Sequence, residues 1–70
     1  MLKCYLRHRM ADKHIDDVPK LAELSGVSRN TIYKLYRRKG VETVRINTLM
    51  RLCDALECSL SDLVEYTPDA

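Results

Sequence analysis

The chain has 70 residues, 46% hydrophobic and 31% charged, with a formal net charge of +2. That length holds one small domain and one small core, and the balance fits a folded globular chain rather than a disordered one. No apolar run reaches the ~20 residues of a membrane span, and MLKCYLRHRM is basic without the apolar segment of a signal peptide; a cytoplasmic protein with a single domain over 1–70 is expected.

The periodicity is helical throughout. Leu2, Leu6 and Met10 recur every four residues with Tyr5 beside them, which predicts an amphipathic helix over 2–12. Lys13-His14-Ile15-Asp16-Asp17 is a polar connection. Asp17 can cap a second helix, because its carboxylate accepts an amide that has no intrahelical partner. Pro19 suits the first turn of that helix, where its missing N–H costs nothing. Leu21, Ala22 and Leu24 are its apolar side, and Gly26 ends it in a place suited to left-handed backbone.

Ser28 caps a third helix running to about Arg37, held to the core by Val27, Ile32 and Leu35. Gly40 and its β-branched neighbours break the pattern. A fourth helix is predicted over 46–57, with Leu49, Leu52, Cys53 and Leu56 inward and its cap at Arg45 or Asn47. Ser59 caps a short fifth helix over 60–65, with Asp62 in the capping-box position and Leu60, Leu63 and Val64 inward. Pro68 stops it, leaving a short tail, 66–70; after the last helix only Glu65-Tyr66-Thr67 has any extended character. The expected fold is all-α: a compact domain of five helices.

The two central helices carry more than packing. A tight helix-turn-helix needs a small residue where its helices meet, a residue tolerant of positive φ in the turn, and an apolar residue inside the second helix. Ala22, Gly26 and Ile32 stand at relative positions one, five and eleven and supply all three. Removing the buried positions leaves Ser28, Arg29, Asn30, Tyr33, Lys34 and Arg37 on the outer face of the third helix, followed by Arg38 and Lys39. The N-terminal part of such a helix meets base edges in the major groove, where Arg pairs with guanine and Asn with adenine. Arg38 and Lys39 suit phosphates, which add affinity without sequence information.

Charge is distributed to match. Residues 28–45 carry Arg29, Lys34, Arg37, Arg38, Lys39 and Arg45 against Glu42, a local +5. Residues 46–70 carry Arg51 against Asp54, Glu57, Asp62, Glu65 and Asp69, a local −4. A basic centre facing a polyanion and an acidic end facing away follow from that polarity.

LAELSGVSRNTIYKLYRRKG followed by INTLMRLCDALECSLSDLVEY resembles the Cro/repressor (lambda-repressor-like, XRE) helix-turn-helix family over nearly the whole chain. The second segment is similar to a subset of small stand-alone bacterial regulators with the pattern TLxxLCxALxCxxxDLxEYxPD, matched at Thr48, Leu49, Leu52, Cys53, Ala55, Leu56, Cys58, Asp62, Leu63, Glu65, Tyr66, Pro68 and Asp69. The resemblance implies a lambda-repressor-like DNA-binding domain, with the helix-turn-helix at about 18–37. It also implies regulation of transcription in a bacterium or phage and a homodimer on a two-fold operator of double-stranded DNA. A domain this small reads only about 4–5 base pairs, so specificity needs two copies. Helix five and the 65–69 tail are the candidate dimer surfaces. Two positions depart from the family. Val18 stands where members often carry a phosphate-contacting Gln. Tyr36 stands where many carry a Glu paired with an arginine of the first helix, here Arg7 or Arg9.

Other chemistries are poorly supplied. Cys4, Cys53 and Cys58 are odd in number and lack paired CxxC spacing, so neither a disulfide framework nor a structural zinc site is expected; Cys53 is read as buried, and His8 and His14 as surface residues. No nucleophile–base pair or phosphate loop occurs, and a small core offers no deep pocket, so an enzyme, a cofactor and a small-molecule ligand are not expected. The alternative reading is a protein-interaction module, the partner of a toxin or antagonist, with weak or lost DNA binding and its acidic C-terminal half as the contact face.

Overall fold

A computed structural model describes residues 1–68, in the order β1 (Leu2–Cys4), α1 (Leu6–Asp12), α2 (Val18–Ser25), α3 (Arg29–Arg37), a 3-10 turn (Val41–Thr43), α4 (Ile46–Leu56), α5 (Leu60–Leu63) and β2 (Val64–Tyr66). Five helices account for most of it, as the periodicity predicts, with a small two-stranded sheet added. Asp69 and the end of the 66–70 tail lie outside the described residues.

The sheet corrects the expected helix over 2–12. β1 pairs antiparallel with β2 in the register Leu2↔Tyr66, Lys3↔Glu65 and Cys4↔Val64. The Met1 ammonium donates to the Thr67 carbonyl at 2.6 Å, the Thr67 amide donates to the Met1 carbonyl at 2.8 Å, and the Tyr5 amide donates to the Leu63 carbonyl at 2.8 Å. Only after Tyr5 is the chain released into α1. The four-residue spacing of Leu2, Leu6 and Met10 is satisfied by a helix, but a distant strand gives residues 2–4 backbone partners and a Lys–Glu cross-strand pair. The same pairing ends α5 at Leu63 rather than 65, because Val64 enters β2.

Local signals place the remaining helix ends. The Asp17 carboxylate accepts the Lys20 amide at 2.9 Å, with Pro19 in the first turn of α2. The Ser28 hydroxyl accepts the Thr31 amide at 3.3 Å and caps α3. Ser59 and Asp62 form a reciprocal capping box, and the Ser59 hydrogen bonds hold the Asp62 carboxyl below its ordinary value. Arg45, not Asn47, is the N-cap of α4, with no side-chain capping bond.

The core joins every element. Cys4, Leu6, Leu21, Ile32, Leu35, Leu52, Leu56 and Leu63 are fully buried within it, and Cys53 is buried as expected. α2 packs against both α3 and α4, while α1 packs against α3 and α5. Two apolar assignments are corrected. Leu24 is 57% exposed: on a helical wheel, Val18, Leu21, Ala22 and Ser25 define the inward arc of α2, and Leu24 falls outside it. Leu60 is 38% exposed, because the short α5 turns only Leu63 fully inward.

Three helices end on a left-handed residue that is not glycine: His14 (φ 56) after α1, Arg38 (φ 58) after α3 and Glu57 (φ 53) after α4. At each, two amides fold back on the last turn; after α1, His14 donates to the Ala11 carbonyl at 3.1 Å and Ile15 to that of Met10 at 2.9 Å. This double closure also brings together the side chains at its ends, here the buried Met10 and Ile15. Left-handed backbone costs a side chain about 1–2 kcal/mol, and the greater freedom of glycine in the unfolded chain offsets about 0.5–1 kcal/mol of any relief. His14→Gly is therefore expected to stabilise the domain by about 0.5–1 kcal/mol, raising Tm by roughly 2–8 °C. An unchanged or lower melting temperature by circular dichroism would contradict this.

Candidate nucleic-acid interface

The site is built on the α2–α3 turn. The Gly26 amide donates to the Ala22 carbonyl at 2.9 Å, with Gly26 at φ 73. A Cβ at Gly26 would meet nothing within 4 Å, so the turn requires glycine for its backbone conformation rather than for space. The Ser25 hydroxyl donates to the Leu21 carbonyl at 2.7 Å and accepts the Val27 amide at 3.2 Å. Buried Val27, Ile32 and Leu35 then seat α3 with one face outward.

On that face Ser28, Arg29 and Asn30 are exposed in the first turn. The Ser28 hydroxyl is committed to capping and also shares a 2.9 Å hydrogen bond with the Thr31 hydroxyl. Tyr33 is half-buried, and the Arg37 guanidinium lies over its ring, 5.1 Å from the centroid. Such stacking holds an arginine head in a preferred place. Lys34, Arg37 and Lys39 are exposed. Asn30, Tyr33, Lys34, Arg37 and Lys39 together line a shallow depression of about 330 Å³. Five of the eight candidate residues thus converge, with Arg29 and Ser28 at the end of the helix next to Asn30.

Arg38 is different. It is the left-handed residue closing α3, and its Nε donates to the Cys4 carbonyl at 3.2 Å. Its side chain fastens α3 to β1, a tie that depends on the strand and was not foreseeable from the RRK run. Tyr36, the departure noted from the resembled family, is met by Arg7: the guanidinium lies 4.3 Å from the ring centroid, and its Nε donates to the Tyr36 carbonyl at 3.1 Å. A cation–π contact and a backbone hydrogen bond take the place of an ion pair in joining α1 to α3.

A second depression, of about 250 Å³, shares Lys34 and is otherwise lined by Thr31, Thr43, Val44, Arg45 and Thr48. Arg45 belongs to the basic block of residues 28–45 but is not one of the eight candidate residues. Thr43 and Thr48 carry no signal of their own; only the fold of the turn back against α3 brings them beside Lys34. Among the described residues, no group of three or more His, Cys, Asp or Glu side chains is arranged to hold a metal. No helix among them is long and apolar enough to cross a membrane.

The family described as the Cro/C1-type HTH DNA-binding domain matches residues 5–69. No curated protein and no solved structure gives a match.

Proposed function

Because the chain belongs to the Cro/C1-type helix-turn-helix DNA-binding domain family, a domain of DNA-binding regulators, we propose that it is a sequence-specific transcriptional repressor. In this reading α3 lies in the major groove of a double-stranded operator, whose width admits a helix. Arg29 and Asn30 reach base edges from the first turn. Tyr33 contacts a thymine methyl, and Lys34 serves base or backbone. Arg37 and Lys39 take phosphates, with Ser28 at the helix N-terminus beside the backbone. Arg38 adds positive charge while its Nε stays on Cys4. Arg45 and Thr48, beside Lys34, extend the phosphate track toward the start of α4.

The observation that carries this reading is the depression lined by Asn30, Tyr33, Lys34, Arg37 and Lys39 on the exposed face of α3. It combines amide, aromatic and cationic groups on one helix face, the mixture that groove reading and backbone anchoring require. We further propose a homodimer in the cytoplasm, with helix five and the tail as the dimer surface. Exposed Leu60 and Tyr66 (38% and 68%) offer apolar area there.

Selection of bound fragments from a genomic library, followed by anisotropy titration at several salt concentrations, tests the reading. Affinity is expected to fall steeply with salt. Lys39→Ala is expected to weaken all sequences about equally and to lower the salt slope by about 1. Lys39 is a cleaner probe than Arg38, whose loss would also release the Cys4 carbonyl. No bound fragment and no anisotropy change at low salt would support the protein-interaction reading instead.

A further inference from the structure

We infer that Cys53 and Cys58 are an oxidative modification site: a thiol pair that closes into an intramolecular disulfide when a hydroperoxide oxidises Cys58, with Cys53 as the resolving thiol. The geometry comes from the end of α4. The Glu57 amide donates to the Asp54 carbonyl at 3.4 Å, and the Cys58 amide donates to the Cys53 carbonyl at 3.1 Å. This is the double closure described for α1, and it brings together the side chains at the two ends of the longer loop. Here both ends are cysteines. Ordinary bond lengths on either side of that hydrogen bond keep the two α-carbons within about 7 Å, the outer limit for a disulfide. The Cys58 thiol lies near enough to Cys53 to bear on its ionisation. The equivalent turns after α1 and α3 place Met10 with Ile15 and Lys34 with Lys39, so the turn itself does not demand sulfur.

The two thiols are not equivalent. Cys53 is 9% exposed, whereas Cys58 is only half-buried. Burial, then the neighbouring Cys58, pushes the Cys53 thiol up to about 11, so it stays protonated at neutral pH and is not the first to react. Cys58 has the solvent access and meets the oxidant. Its thiolate attacks one oxygen of hydrogen peroxide, the O–O bond breaks, and proton transfer gives a sulfenic acid and water. The Cys53 sulfur then attacks the Cys58 sulfur. The S–O bond breaks, and the hydroxide leaves with the Cys53 proton as a second water. Two electrons pass from the sulfurs to the peroxide. A low-molecular-weight thiol reverses the step by exchange, whereas a sulfinic acid at Cys58 is not recovered that way. The pair therefore holds oxidation at a reversible stage and ties the last turn of α4 to the residue leading into α5.

The test exposes the reduced full chain to hydrogen peroxide, blocks the remaining thiols with N-ethylmaleimide in denaturant so that buried Cys4 and Cys53 are reached, and maps the products by mass. The expected product has lost two hydrogens and is blocked at Cys4 alone. Cleavage after Glu57 leaves its two halves joined, and dithiothreitol restores all three blockable thiols. Cys53→Ser is expected to shift the product to Cys58 sulfinic acid or a Cys58-linked dimer. Cys58→Ser is expected to leave Cys53 reduced under the same exposure. Wild-type protein that accumulates Cys58 sulfinic acid without the internal link overturns the proposal, as does Cys53 oxidation at an unchanged rate in Cys58→Ser. The wild-type map alone decides if circular dichroism shows either variant unfolded.

Discussion

Leu52→Ala is expected to destabilise the domain by about 2–5 kcal/mol, the range for a leucine removed from a packed interior. Leu52 is 0% exposed and sits on α4, the helix that packs against both α2 and α5. A domain of this length has roughly 4–10 kcal/mol of total stability. The substitution therefore removes a large part of it, with a fall in Tm of roughly 8 °C or more. Leu24→Ala is the matched control. Helical spacing marks both leucines as apolar beats, but Leu24 is 57% exposed and its loss is expected to cost less than about 0.5 kcal/mol. Urea titration of both variants checks the pair. Equal losses, or a Leu52 loss below about 1 kcal/mol, would sink the described packing of α4 and α2.

Arg29→Ala and Asn30→Ala are expected to leave stability almost unchanged, since both side chains are exposed and surface substitutions stay within about 0.5 kcal/mol. Their effect falls on DNA. Each is expected to remove about 1–3 kcal/mol of discrimination at its own base position, roughly five- to 150-fold between the preferred base and the others. Competition titrations with operators varied one base pair at a time read this directly. Weakening that is uniform over all sequences would assign the side chain to the backbone. Lys39→Ala, expected to behave in that uniform way, calibrates the difference.

Much of the frame of the candidate interface is legible because its causes are local. Asp17, Ser28, Ser59 and Asp62 cap helices through amides only three residues away. Gly26 announces a left-handed turn because only glycine enters that backbone region without cost. These signals orient α3 and identify its outward face before any tertiary contact is considered. The equivalent turns at His14, Arg38 and Glu57 are silent for the same reason: they lack glycine, and at each a pair of amides bonded back to the last helical turn accompanies the left-handed backbone instead.

What the amino-acid order determined on its own is the helical class, the capped α2–turn–α3 unit and the list of polar side chains facing out of α3. The tertiary structure alone decided the rest. Residues 2–4 form a strand because residues 64–66 lie beside them. Arg38 turns back because the Cys4 carbonyl is within reach. Arg7 stacks on Tyr36, Thr43 and Thr48 join Lys34, and Leu24 is left exposed. Capping and turn energies act over three to five residues, so their signatures sit together in the chain. Strand pairing across about sixty residues and side-chain ties across about thirty gain their energy only after the loop between them is closed, and no local spacing records that closure.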